Sequence, residues 1–251
     1  MALVQPLIWI NGWPGVGKQT VSQCFTALAG ADKAILIDSY QFTDHLDLPP
    51  AALHSQQSSQ PEVGLVDIDG NNTTADFPTP EEREEQRRAR RDACFARYVE
   101  GPDSLGRAVI FTDCQPDDAA GRAEAREYER AAARAGRPFA PVYLACGEEE
   151  RRRRVGCAAM RQGGKAKRCL AARAARSRGG GRLFRFEGHE GLVVDVTERT
   201  AHEATMEILV FVNVLMERLV REGEGEAAGV SSEVCTPVEG REPEWREVGG
   251  R

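Results

Sequence analysis

Gly12-Trp13-Pro14-Gly15-Val16-Gly17-Lys18-Gln19-Thr20 decides the reading of this chain. The stretch follows a nearly all-apolar run, Pro6 to Asn11, and opens a segment, Lys18 to Ala29, with Val21, Cys24, Phe25 and Leu28 at helical spacing and Gly30 at its end. A strand entering a glycine-rich turn and leaving as a helix gathers backbone N–H groups at a helix N-terminus, where they attract an anion. Gly12, Gly15 and Gly17 supply the tight curl, and Val16, Gln19 and Thr20 complete the cradle. Lys18 adds a positive charge for the outer phosphates of a nucleoside triphosphate. The usual hydroxyl directly after the lysine is replaced by Gln19, and Thr20 carries it one place later.

Outward from the loop, apolar runs recur at Ala34 to Ile37, Arg107 to Thr112, Phe139 to Ala145 and Gly191 to Val196. Runs of this kind suit strands buried on both faces, as in a parallel sheet. Helical patterns fall between them at Pro80 to Glu100 and Arg122 to Ala135. Thr79-Pro80-Glu81-Glu82 and Thr200-Ala201-His202-Glu203 are capping boxes. After the second box, Ala204, Ile208, Phe211, Leu215 and Leu219 form the expected core stripe of a last helix. The alternation predicts an α/β fold.

Three stretches depart from it. Pro49 to Thr79, rich in Ser, Gln, Asn and Pro, reads as a long loop or insertion. Arg151 to Arg182 carries many basic residues and no acid, which makes it a cationic flap or surface. From about Glu222 the composition turns to Gly, Glu and Pro, so the expectation is one domain over 1–221 and a disordered tail over 222–251.

The net charge of −6 argues against a surface built throughout to coat nucleic acid. Seven cysteines without a CxxC pair fit neither a disulfide framework nor a zinc site, and predict reduced thiols in the cytoplasm. His45, His54, His189 and His202 have no metal-ligand spacing. No apolar run approaches the length of a membrane span.

The string GxPGxGKxT, with its threonine second after the lysine, resembles the loop of adenylate kinase and its relatives. Ile37-Asp38, Phe111-Thr112-Asp113, the strand from Pro141 to Cys146 followed by a run of Glu and Arg, and Val194-Asp195-Val196-Thr197 extend the likeness. In this order they resemble the small P-loop kinases, including shikimate and gluconate kinases and chloramphenicol phosphotransferase, and the AAA-type ATP-binding proteins close to them. The likeness covers about residues 5–48 and 103–218. It implies a three-layer fold, a parallel sheet flanked by helices, with ATP and Mg²⁺ as cofactors and a small-molecule hydroxyl as acceptor.

In that family Lys18 and guanidiniums of the region after the fourth strand, here Arg154 and Arg161, meet the charge of the moving phosphoryl group. Asp38 orients or deprotonates the acceptor hydroxyl, and Asp113 with Thr20 holds the metal. The loop from Val196 to Thr200, with Arg199, lies near the base. Read without the family, Asp38 and Asp113 are also ordinary strand-end turn residues, and Arg151 to Arg154 a solvated face balanced by Glu148, Glu149 and Glu150. Gly147 after Cys146 departs from the acidic residue the family tends to have. Two further readings stay open: a regulatory nucleotide binder without transfer, and an RNA-binding or polynucleotide-end-processing protein acting through 151–182. Nothing in the pattern chooses between monomer and homodimer. A motor-type AAA ATPase is the poorer expectation, because 251 residues are short for its added helical domain and the pattern shows no second acidic pair resembling its hydrolytic signature.

Overall fold

A computed structural model describes residues 3–38, 79–161 and 181–230. The long insertion expected at Pro49 to Thr79, but for Thr79, the middle of the cationic stretch and the end of the tail lie outside these residues.

Strand β1, Leu7–Gly12, is buried along its whole length. It runs into helix α1, Lys18–Ala29, and then β2, Ala34–Asp38. Helix α2, Pro80–Cys94, continues as a π-helical turn over Phe95–Val99 and leads to β3, Ala108–Asp113. Helix α3, Ala119–Arg134, β4, Phe139–Ala145, and α4, Glu148–Arg161, follow. Strand β5, Leu192–Asp195, and α5, Ala201–Val230, complete the order. All neighbouring strands are parallel, in the order β2-β3-β1-β4-β5. The expected α/β class and parallel sheet are both present.

Alternation along the strands divides the core into two layers. Ile8, Ile10, Ile110, Val142 and Val194 face Val21 and Phe25 of α1 and Ala204, Ile208 and Val212 of α5. Leu7, Trp9, Val109, Phe111 and Tyr143 face Phe95, Val99 and the α3 residues Ala125, Tyr128, Ala131 and Ala132. Helices on both faces of the sheet give the three layers. With β1 between β3 and β4, the crevice at the strands' carboxyl ends opens beside Gly12, where open α/β sheets place ligands.

Local chemistry sets the boundaries. The Thr79 hydroxyl accepts from the Glu82 N–H at 3.2 Å and the Glu82 carboxylate accepts from the Thr79 N–H at 2.7 Å, the expected box. Helix α3 starts at Ala119, earlier than the Arg122 that periodicity gave, because the Asp118 carboxylate accepts from the Gly121 N–H. Leu28 of α1 is 47% exposed rather than in the core. The stripe of α5 also differs from the expected one: after Ala204 and Ile208 it continues through the buried Val212 and Met216, with Phe211 and Leu215 partly buried at its side and Leu219 exposed. Helix α5 runs on to Val230, past Glu222.

At the opposite end of the sheet Arg137, 4% exposed, donates to the carbonyls of Val99 at 2.7 Å, Gln5 and Arg107 at 2.8 Å and Ser104 at 2.7 Å. Its burial lowers its pKa. Several of these carbonyls would lose their donor in Arg137→Met, so that variant should be less stable by about 3 kcal/mol in urea unfolding.

Candidate functional site

The turn after β1 is held by glycines that no other residue replaces without strain. Gly15 and Gly17 have φ of 86° and 101°, and Gly17 is the left-handed N-cap of α1. A Cβ on Gly15 would lie 2.4 Å from Val155 Cγ2, and one on Gly12 would lie 2.8 Å from Val16 Cγ1. The loop is therefore wedged between the sheet and α4. Helices α2 and α3 have side-chain caps from Thr79 and Asp118, whereas no side chain caps α1. An uncapped N-terminus behind a turn of this shape leaves N–H groups directed at an incoming anion.

The Lys18 ammonium lies over the loop, donating to the Gly12 carbonyl at 2.6 Å and the Trp13 carbonyl at 3.3 Å. Gln19 and Thr20 are exposed in the first turn. The buried Ser22 hydroxyl instead donates to the Lys18 carbonyl at 2.8 Å. Of the two hydroxyls in this part of α1, only that of Thr20 faces solvent.

Strand alternation sends the two candidate acids to different layers. Asp38 pairs in register with Thr112, whose hydroxyl donates to Asp38 Oδ1 at 2.9 Å, on the face that carries α1. Asp113, 5% exposed, belongs with Phe111 on the α2 and α3 side. Its Oδ1 accepts from the Cys114 N–H at 2.7 Å and its Oδ2 from Gln115 Nε2 at 2.9 Å, and it bonds the Tyr128 hydroxyl. Asn11 locks this corner: its Oδ1 accepts from the Gln115 N–H, and its Nδ2 donates to the carbonyls of Gln115 and Phe184 at 3.1 Å each.

None of Asn11, Gln115, Glu124, Tyr128 and Arg91 was among the site residues expected from the sequence. Asn11 had one visible signal, an amide closing an apolar run. Arg91 had none among the many charges of α2, yet it is 3% exposed and reaches Glu124 at 2.6 Å and Glu127 at 3.0 Å. Burial, with Asp113 adding and Arg91 opposing, raises the Glu124 carboxyl to about 7.

The arginine run of α4 divides by helical face. Arg152 and Arg153 are exposed and paired with Glu148 and Glu150. Hydrogen bonds from Arg153 and then Arg154 pull the Glu150 carboxyl down to about 2. Arg151 and Arg154 turn toward the loop: the carbonyl of Arg151 sits 3.1 Å from where a Gly15 Cβ would be. Arg154 donates to Glu150 at 2.7 Å and to the carbonyls of Val16 at 3.2 Å, Val196 at 2.7 Å and Thr197 at 3.2 Å. Arg161 is the last residue of α4, and its side chain lies outside the description. The paired, exposed arginines of this helix offer less net charge to a polynucleotide than the sequence run suggests.

Gly147 permits a further tie. Its N–H donates to Thr197 Oγ1 at 2.8 Å, and a Cβ there would stand 3.3 Å from Thr197 Cγ2. The Thr197 hydroxyl in turn donates to Asp195 Oδ1. Arg199 pairs with Glu207. Among the described residues no three or more His, Cys, Asp or Glu side chains gather as a metal cluster, and no helix is long and apolar enough to cross a membrane.

No family profile and no curated protein matches this sequence. Among solved structures the chain is similar to APE1195, with a TM-score of 0.52 and 17% identity over 85% of this chain and 97% of that one. It is also similar to a gluconokinase from Sinorhizobium meliloti 1021, with a TM-score of 0.48 and 18% identity over 88% and 98% of the two chains. A third is the Mycobacterium tuberculosis APS kinase in complex with AMPPNP and APS, with a TM-score of 0.47 and 18% identity over 84% and 99%. The likeness to APE1195 establishes a shared fold.

The Glu124 carboxyl carries a pH signature. With its folded pKa about 7 against an ordinary 4.5, the folded chain holds an extra proton between those values, so this group's contribution to stability is lost as pH rises through about 7. Urea unfolding from about pH 5 to about pH 8 should show a fall on the order of 2 kcal/mol from this source. The Glu124→Gln variant should lack that part of the slope.

Proposed function

We propose that this protein binds ATP with magnesium on the Gly12 to Thr20 loop and transfers the γ-phosphoryl group to the hydroxyl of a small molecule. The observation that carries the reading is the uncapped N-terminus of α1 behind two positive-φ glycines, with the Lys18 ammonium lying across the loop. The Lys18 amine rests on carbonyls of its own loop and needs only a side-chain rotation to exchange them for phosphate oxygens.

The Thr20 hydroxyl and the Asp113 carboxylate would offer only oxygen donors, which suit a hard cation that keeps most of its waters and takes the rest of its ligands from phosphates. Such a site needs no cluster of three protein acids. Magnesium held there would neutralise charge on the β- and γ-phosphate oxygens.

Asp38 is the proposed partner of the acceptor. Thr112 holds one of its oxygens, which orients the carboxylate at the carboxyl end of the sheet. As the acceptor oxygen bonds to the γ-phosphorus, the bond to the bridging oxygen breaks and ADP leaves; the hydroxyl proton passes to Asp38. Lys18, with Arg161 from the end of α4, meets the charge of the transferred group.

Melting with and without Mg-ATP tests the nucleotide site. Ligand at about 100 times its Kd should stabilise the native protein by about 2.7 kcal/mol, and the shift should vanish in Lys18→Ala. The absence of a shift in the native protein would end the proposal. Asp38→Asn should keep the ATP-induced shift but release ADP at least about 100-fold more slowly with hydroxylated acceptors. Native ATP binding without acceptor-dependent ADP release would instead favour a regulatory nucleotide binder.

A further inference from the structure

Arg154 has four acceptors on three separate parts of the chain: the Glu150 carboxylate within α4, the Val16 carbonyl of the loop, and the Val196 and Thr197 carbonyls after β5. A guanidinium has five N–H groups in a rigid fork, so this arrangement leaves one for any other partner. The half-buried side chain is thus committed to the protein backbone rather than extended over the loop's mouth.

Contact with the Val16 carbonyl matters because of what lies across that peptide. In a trans peptide the C=O and the following N–H point in opposite directions, so a donor on the Val16 oxygen fixes where the Gly17 N–H aims. Among the described residues that N–H has no protein acceptor. Gly17 is also the left-handed cap of α1, with φ of 101°, a residue whose backbone would otherwise be freer than most to rotate. A positive charge on the carbonyl side further polarises the peptide toward a positive N–H.

We propose that Arg154 is a positioning residue for the phosphate cradle: by holding the Val16 carbonyl against the Val196 and Thr197 carbonyls, it aims the Gly17 N–H at the bound polyphosphate without touching the nucleotide. The proposal rests on the loop's being a polyphosphate site. Glu150 keeps the fork in plane, and the Gly147 to Thr197 bond braces the far end of the same tie.

The two possible roles of this arginine separate by ligand. A residue that touches the γ-phosphoryl group loses ATP far more than ADP, whereas one that sets the cradle loses both alike. Calorimetric titration of native protein, Arg154→Ala, Arg154→Lys and the exposed control Arg153→Ala should be run with Mg-ATP, Mg-ADP and magnesium tripolyphosphate. Arg154→Ala is expected to weaken all three by a common factor of about tenfold. Arg154→Lys should recover less than half of that loss on a logarithmic scale, because one ammonium cannot span the three parts of the chain. Arg153→Ala should stay within about twofold of the native protein.

A loss for ATP that exceeds the loss for ADP by tenfold would overturn the proposal in favour of direct contact. Unchanged tripolyphosphate binding in the variant would overturn it in favour of an effect through the nucleoside. Native-like affinities in Arg154→Ala would overturn it outright, and if that variant does not fold, Arg154→Lys makes the same comparison. A native protein that binds none of the three ligands removes the polyphosphate reading itself, and this inference with it.

Discussion

Burial of β1 on both faces and both edges is the constraint on which the other features depend. Leu7 to Gly12 are all buried, with β3 hydrogen-bonded on one side and β4 on the other. A strand so enclosed can continue only beyond its carboxyl end, and the chain must there reverse into α1 within five residues, 13–17. Left-handed glycines make the reversal possible, and the packing of Val155 and Leu144 against Gly15 and Gly12 excludes larger residues. The anion cradle is thus a geometric outcome of leaving the centre of a parallel sheet.

Guanidiniums do much of the tying elsewhere, and each meets several acceptors at once. Arg137 binds carbonyls at the amino end of the sheet, Arg91 joins α2 to α3 through Glu124 and Glu127, and Arg154 joins α4 to the loop and to the segment after β5. Taking such a group out of water is costly unless its donors are met, and a planar fork meets several carbonyls at once. Lysine in any of these positions would serve fewer of them.

Strand parity also arranges the candidate chemistry. One residue apart, Thr112 and Asp113 lie on opposite faces of β3, so the Thr112 hydroxyl joins Asp38 while Asp113 enters the network of Gln115, Tyr128 and Glu124. The two acids are therefore held by independent sets of bonds. Each is oriented by neighbours from a different element, Thr112 of β3 for Asp38 and Tyr128 of α3 for Asp113.

The glycine and lysine spacing, the apolar runs and the capping boxes are local patterns, and from them the sequence by itself determined the loop, the α/β class, the parallel sheet and most element boundaries. Those signals are legible because glycine, proline and cap residues act on their own few neighbours. Strand order, the opposite facing of Thr112 and Asp113, the partners of Arg91 and the division of the Arg151 to Arg154 run were decided by tertiary structure alone. Each of them depends on groups brought together from far along the chain: Arg154 meets Val16 across 138 residues, and Asn11 meets Phe184 across 173. No local spacing encodes such a meeting, because the acceptors are backbone carbonyls that every residue carries.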